Sequence, residues 1–155
     1  MHPRIKRLMT DEQRVEETFS GAHPVIKLIE KEGSPAERYV FEYNIKGIKD
    51  FVDGKCIYED FFKAEIFLMK DYPRRPPFCR MLTQIFHPNI DAQKICIGDH
   101  WSAGRHLSSI IIEIAELISY QRYNVKSPLN GQAAAWTENN IDILPIIKQD
   151  FSAEI

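Results

Sequence analysis

His87-Pro88-Asn89, followed seven residues on by Cys96, puts an imidazole, a rigid turn, a carboxamide and a thiol into one short stretch. A thiolate is a strong nucleophile and a good leaving group from a thioester, so a single-cysteine transferase is one chemistry this set supports. Asn89 carries an amide donor that can hold a developing oxyanion. An asparagine after proline can equally bond nearby backbone in a turn, and the residue types leave both roles open. His87 reads more readily as a structural hydrogen-bonding group than as a base. Cys96 stands between Ile95 and Ile97, which suggests a short extended segment. A lone cysteine is more often a buried structural thiol, and nothing lifts Cys56 or Cys79 out of that class.

Metal chemistry has less support. His87, Cys96, His100 and His106 crowd one region, but their spacing matches no compact zinc pattern and no paired CxxC is present. Glycine-rich phosphate loops and serine-hydrolase elbows are also absent. No metal and no cofactor are expected.

These residues need a scaffold, and the flanking periodicity supplies one. Ile5, Leu8, Met9, Val15 and Phe19 suit one face of an N-terminal helix, with Arg4, Lys6, Arg7 and Arg14 making another side basic. Thr10 with Gln13 fits a capping box, which allows a break near Thr10. Strands follow: Val25 to Ile29, then an alternating run from Tyr39 to Ile45, then Phe62 to Leu68, with Arg80 to Ile85 as the last. Asp53-Gly54 supplies a turn between strands. From Asp71 to Trp101 periodicity stops and prolines stand at 73, 76, 77 and 88. A long irregular loop in a compact domain is usually functional. Leu107, Ile110, Ile111, Ile114 and Ile118 mark a largely apolar central helix. A further helix covers Gln132 to Trp136 with Asn130 as its cap, and Ile143, Leu144, Ile147 and Phe151 suggest a last short one, in which Pro145 fits only near the first turn. The expected class is α+β: an N-terminal helix, a four-stranded antiparallel meander, an active-site loop, then C-terminal helices, in a single domain over residues 1–155.

Composition narrows the partners. A net charge of −2 gives no electrostatic reason to expect nucleic acid or an anionic membrane. No run approaches the roughly 18 apolar residues of a membrane span, and the start, Met1-His2-Pro3-Arg4, does not lead into a signal-peptide core. Three widely spaced cysteines argue for free thiols and a cytoplasmic location.

In order and type, Tyr72-Pro73 with Pro76-Pro77, His87-Pro88-Asn89, Ile95-Cys96, Trp101-Ser102, Pro128-Leu129-Asn130 and the Ala133-Ala134-Ala135-Trp136 helix resemble the ubiquitin-conjugating enzymes, and the likeness spans essentially the whole chain. The resemblance implies a transferase. It would accept ubiquitin or a ubiquitin-like protein from an activating enzyme as a thioester on Cys96. It would then pass the modifier to an amine, usually a lysine of a protein substrate, with a ligase as a further partner. It gives Asn89 the role of supporting the oxyanion or ordering the loop, and puts Ser127 at the gate beside the incoming lysine with Asn124 nearby. Leu129 would lie close to the thioester, and His87, Pro88 and Trp101 would shape the loop. The first helix, with Arg4, Lys6, Arg7 and Arg14, would meet the activating enzyme. Asp99 is a carboxylate particular to this sequence that could assist the amine. An alternative within the same fold is a non-catalytic variant acting as a binding cofactor, although such variants usually lack the acceptor cysteine. A redox thiol protein would want a resolving cysteine nearby.

Departures from the family pattern cluster after Asn89. The Asn89–Cys96 and Cys96–Trp101 spacings are short, Gly98-Asp99-His100 replaces the usual stretch, and Ser102-Ala103-Gly104 lacks the proline that usually follows Trp-Ser. The shortened loop resembles that of conjugating enzymes from bacterial ubiquitin-like operons.

Overall fold

The computed structural model describes residues 1–97 and 99–154, so Gly98 of the departing stretch lies outside the described residues. Helix α1 spans Pro3–Phe19, with Pro3 at its first turn and the His2 ring accepting from Arg4 N at 3.1 Å as the cap. It is continuous through Thr10, whose hydroxyl donates to Lys6 O at 3.0 Å instead of capping a new helix. Its buried line is Leu8, Asp11, Val15 and Phe19. Ile5 and Met9, expected on that face, are exposed, because the 8–11–15–19 spacing turns both away from the sheet.

Six strands follow among the described residues: β1 (Ile26–Gly33), β2 (Ala36–Tyr43), β3 (Gly47–Val52), β4 (Lys55–Glu59), β5 (Phe62–Phe67) and β6 (Phe78–Met81). All pairings are antiparallel, in the order β1-β2-β5-β6, with β3-β4 as a separate two-stranded ladder. The pairs Tyr43↔Phe62 and Gly47↔Glu59 show that β3-β4 continues the β2-β5 hairpin beyond a bend. The expected meander is therefore present with its central hairpin broken. Gly47 allows the bend, since a Cβ there would lie 2.8 Å from Ile118 O. Asp53 and Gly54 close the hairpin with φ of 51° and 75°, the signature of a type I′ turn.

The last strand lies earlier than the expected Arg80–Ile85. Leu82 N still reaches Lys63 O, but Thr83 Oγ then accepts from Lys63 N at 3.1 Å, so a side chain replaces the ladder and the chain turns off. β1 likewise runs past Ile29 to Gly33, where Glu30 to Glu32 are exposed and leave no apolar signal.

Tyr39, Phe41, Tyr43, Phe62, Ala64 and Ile66 point from one sheet face into the core, fully buried. α1 and α2 (Leu107–Ile118) contribute to the same core. Tyr43 OH donates to Ile111 O at 2.9 Å, pinning α2 to the sheet. Helix α3 (Gly131–Glu138) starts on Asn130, whose side chain accepts from Ala133 N as expected. Past it, the expected short helix over Ile143–Phe151 is replaced by two 3-10 turns, Ile141–Ile143 and Phe151–Glu154. Ile146 N between them bonds Ser119 O at 2.9 Å, and this docking displaces a helical repeat. None of the described helices is long and apolar enough to cross a membrane.

Candidate active site

His87 is the buried hub of the loop. Its Nδ1 accepts from Asn89 N at 3.0 Å and its Nε2 donates to Arg122 O at 3.0 Å, which sets the tautomer. Burial pushes the imidazole down to about 3, so it is neutral at physiological pH and has no free nitrogen for base chemistry. An unfolded chain protonates this group below about pH 6.5 while the folded site does not. Its contribution to stability is thus complete above that pH and falls by about 1.4 kcal/mol per unit toward pH 3. Urea melts at pH 7, 6 and 5 are expected to show that loss, with a shallower slope in His87→Gln.

Asn89 is 6% exposed. Its Oδ1 accepts from Asn124 N at 2.8 Å and its Nδ2 donates to Asn124 O at 2.7 Å. One carboxamide thereby clips the 120s loop to the cysteine-bearing segment. Pro88 O accepts from Leu129 N and Asn130 N, making a second tie. Asp91 Oδ1 accepts from Gln93 N and Lys94 N, and Ile90 pairs with Ile95, so residues 90–95 form a tight hairpin. Cys96 follows directly, its N–H donating to Asn89 O at 2.9 Å.

Of the three thiols, Cys79 is buried, Cys56 half-buried and Cys96 exposed. Cys96 opens on a cleft of about 570 Å³ that also receives Asn89, Asp99, Asn124 and Ser127, four residues singled out in the sequence. Partial burial and then the Asp99 carboxylate push the Cys96 thiol up, against a smaller opposite pull from Lys94. Neutralising that carboxylate removes repulsion from the thiolate and lowers the thiol's pKa. Asp99→Asn is therefore expected to raise the rate of Cys96 alkylation by iodoacetamide at pH 8, and an unchanged rate would show that Asp99 does not act on the sulfur.

The remaining expected residues lie outside the lining of the Cys96 cleft. Leu129 lines an adjoining groove with Ile90, Ala92 and the segment 81–85, not the Cys96 cleft. Trp101 is a brace: its Nε1 donates to Pro73 O at 2.9 Å and its ring lies 5.8 Å from that of Tyr72. Two of the four basic residues of α1 turn inward. Arg4 donates to Tyr72 O and Met69 O and pairs with Glu37 at 2.9 Å. Arg7 pairs with Asp11 and donates to Tyr72 OH, Ala103 O and Arg105 O, stitching the helix to the loop. Arg14 stays exposed against the His106 ring, and Lys6 is exposed.

Arg105, Glu113, Arg122 and Tyr123 also line the cleft, and sequence reading singled out none of them. One available signal was Glu113 itself, an acid inside the apolar α2 repeat. Among the described residues no group of three or more His, Cys, Asp or Glu side chains is arranged to hold a metal ion.

A model of the family described as ubiquitin-conjugating enzyme matches residues 25–143. The chain is 38% identical over 88 residues to a ubiquitin-conjugating enzyme E2 N of Drosophila melanogaster, covering 54% of this chain and 57% of the relative. A protein of the same description from Macaca fascicularis is 36% identical over 83 residues, covering 50% and 53%. These matches span about half the length of either relative. A Plasmodium yoelii crystal structure assigned to ubiquitin-conjugating enzymes superposes with a TM-score of 0.63 over 92% of this chain and 88% of its own, at 21% identity, a likeness of fold. With the family match extending from the first strand past α3, this chain belongs to the ubiquitin-conjugating enzyme family.

Proposed function

We propose that this protein takes ubiquitin or a ubiquitin-like modifier from an activating enzyme as a thioester on Cys96, and transfers it to an amine, a lysine of a protein substrate. The observation that carries this reading is the exposure of Cys96 alone among the three thiols, on a polar cleft closed by the 120s loop. Loading is thiol exchange: the Cys96 sulfur attacks the incoming thioester carbonyl and the activating enzyme's thiol leaves, a step nearly balanced in free energy. A thiol pushed up in this way is a poorer leaving group than an unperturbed cysteine, which slows loss of the modifier to other thiols.

Aminolysis is the harder step, because a lysine with a reference pKa of about 10.4 arrives protonated. Ser127 and Asp99 stand in the cleft at the entry of that amine, Ser127 as a hydroxyl and Asp99 as an exposed carboxylate. Asn89 acts by holding Asn124 and the loop around the thioester, since its amide donor already serves Asn124 O. Lys6 and Arg14 are the exposed cations of α1 left to steer an activating enzyme. A ligase would serve as a further partner, and a reducing compartment such as the cytoplasm would keep the three thiols free. Incubation with a cognate activating enzyme, ATP and modifier is expected to yield an ATP-dependent, thiol-labile adduct that free lysine discharges. A protein that binds modifier without forming any adduct would refute the transferase reading.

A further inference from the structure

Helix α2 is apolar on nearly every side, and Leu107, Ile110, Ile111, Ile112, Ile114, Ala115, Leu117 and Ile118 are all buried. Glu113 interrupts this series at 8% exposure. Its Oε1 accepts from Arg105 Nη2 at 3.0 Å. Arg105 Nε also donates to Ser109 Oγ at 3.1 Å, so the guanidinium runs along the 105–109–113 face of the helix. Arg105 is itself fixed at its carbonyl by Arg7 at 2.6 Å. Glu113 is the buried member of this pair and Arg105 is partly exposed, and such a shielded ion pair is usually no more stabilising than apolar side chains of the same size. An apolar residue at 113 would suit the core equally well. What distinguishes the position is its view: Glu113 and Arg105 both line the cleft of Cys96.

We propose that Glu113, oriented by Arg105, is the carboxylate that binds the incoming primary ammonium in the Cys96 cleft and takes its proton. This rests on the reading of Cys96 as the modifier's acceptor. Asp99 is exposed on the loop and its carboxylate acts more strongly than Glu113 on the Cys96 thiol, whereas Glu113 is shielded on α2 and held in one place by Arg105. Its negative charge is felt at the Cys96 sulfur, which it helps push up, and at the buried Cys79. The ammonium gives one proton to Glu113 and its nitrogen attacks the thioester carbonyl. The new C–N bond forms and the C–S bond breaks. The second nitrogen proton passes to the departing Cys96 sulfur, and Glu113 later releases its proton to solvent.

The test compares two nucleophiles on the preloaded thioester: lysine, protonated at neutral pH, and hydroxylamine, a weak base already neutral there. The titratable groups that line the cleft with Glu113 are Arg105, Cys96, Asp99, His100, Arg122 and Tyr123, and its charge also reaches the buried Cys79. Glu113→Gln is expected to load normally and to lose about 10²-fold in discharge to lysine at pH 7.5, the lower range of general-base effects. The gap should narrow as the pH approaches that of the free amine, and discharge to hydroxylamine should stay close to wild type. Glu113→Asp, which keeps a carboxylate, should recover part of the lysine rate. Equal losses with both nucleophiles, an unchanged lysine rate, or Glu113→Asp no faster than Glu113→Gln would each overturn the assignment. Failure of the wild-type chain to form a thioester would instead overturn the reading of Cys96.

Discussion

Replacing Cys96 by alanine is expected to abolish modifier attachment completely, while Cys56→Ala and Cys79→Ala load at rates near wild type. The difference follows from access. Cys79 is buried on strand β6, and burial pushes its thiol well above the usual range. Cys56 is half-buried on β4, packed among the residues around Ile48 and Phe86. Only Cys96 follows a hairpin that ends on an open cleft. Cys96→Ser should load slowly and yield an oxyester that resists thiol reagents, because an alkoxide is a far worse leaving group than a thiolate. Gel mobility with and without reductant reads both results. A thiol-labile adduct persisting in Cys96→Ala would mean that the cleft is not the site of attachment.

The second large effect is expected at Asn89. Alanine there removes both bonds to the Asn124 backbone, freeing the loop that carries Ser127. Loss of these bonds should cost about 1–3 kcal/mol of stability, with water re-solvating the exposed Asn124. Displacing a loop by an ångström or so typically lowers a rate about 10²-fold, so discharge to lysine should fall by that order while loading changes little. Amide hydrogen exchange separates the two ways Asn89 could act. If Asn89 is a clip, exchange across residues 120–127 rises with the loss of discharge. If discharge falls while exchange is unchanged, its amide acts on the oxyanion instead. Unchanged discharge would remove Asn89 from the mechanism.

Much of the scaffold was legible from residue types. Asp53-Gly54 predicts a hairpin, and the structure has both residues at positive φ. The apolar repeat from Leu107 to Ile118 predicts a buried central helix, and Asn130 caps α3 as expected. What escaped depends on distant partners. The end of the sheet moved because the Thr83 hydroxyl, not a backbone group, meets Lys63. Arg4 and Arg7 look like a solvated basic stripe until the 69–73 turn and the 101–105 loop fold over α1 and supply carbonyl acceptors. The ordered set from His87 to Asn130 was legible as a site, but the division of labour inside it was not. That Asn89 is committed to Asn124, that Leu129 faces another groove, and that Glu113 reaches the Cys96 cleft all require the 120s loop and α2 to be placed in three dimensions.

Attachment chemistry can be read directly by mass. The wild-type chain, incubated with activating enzyme, ATP and modifier and analysed intact without reductant, should gain the mass of one modifier, lose it on adding thiol, and yield the modified peptide containing Cys96. A mass gain that maps to Cys56, or one that survives thiol treatment in the wild-type chain, would contradict the assignment of Cys96 as the thioester-forming residue.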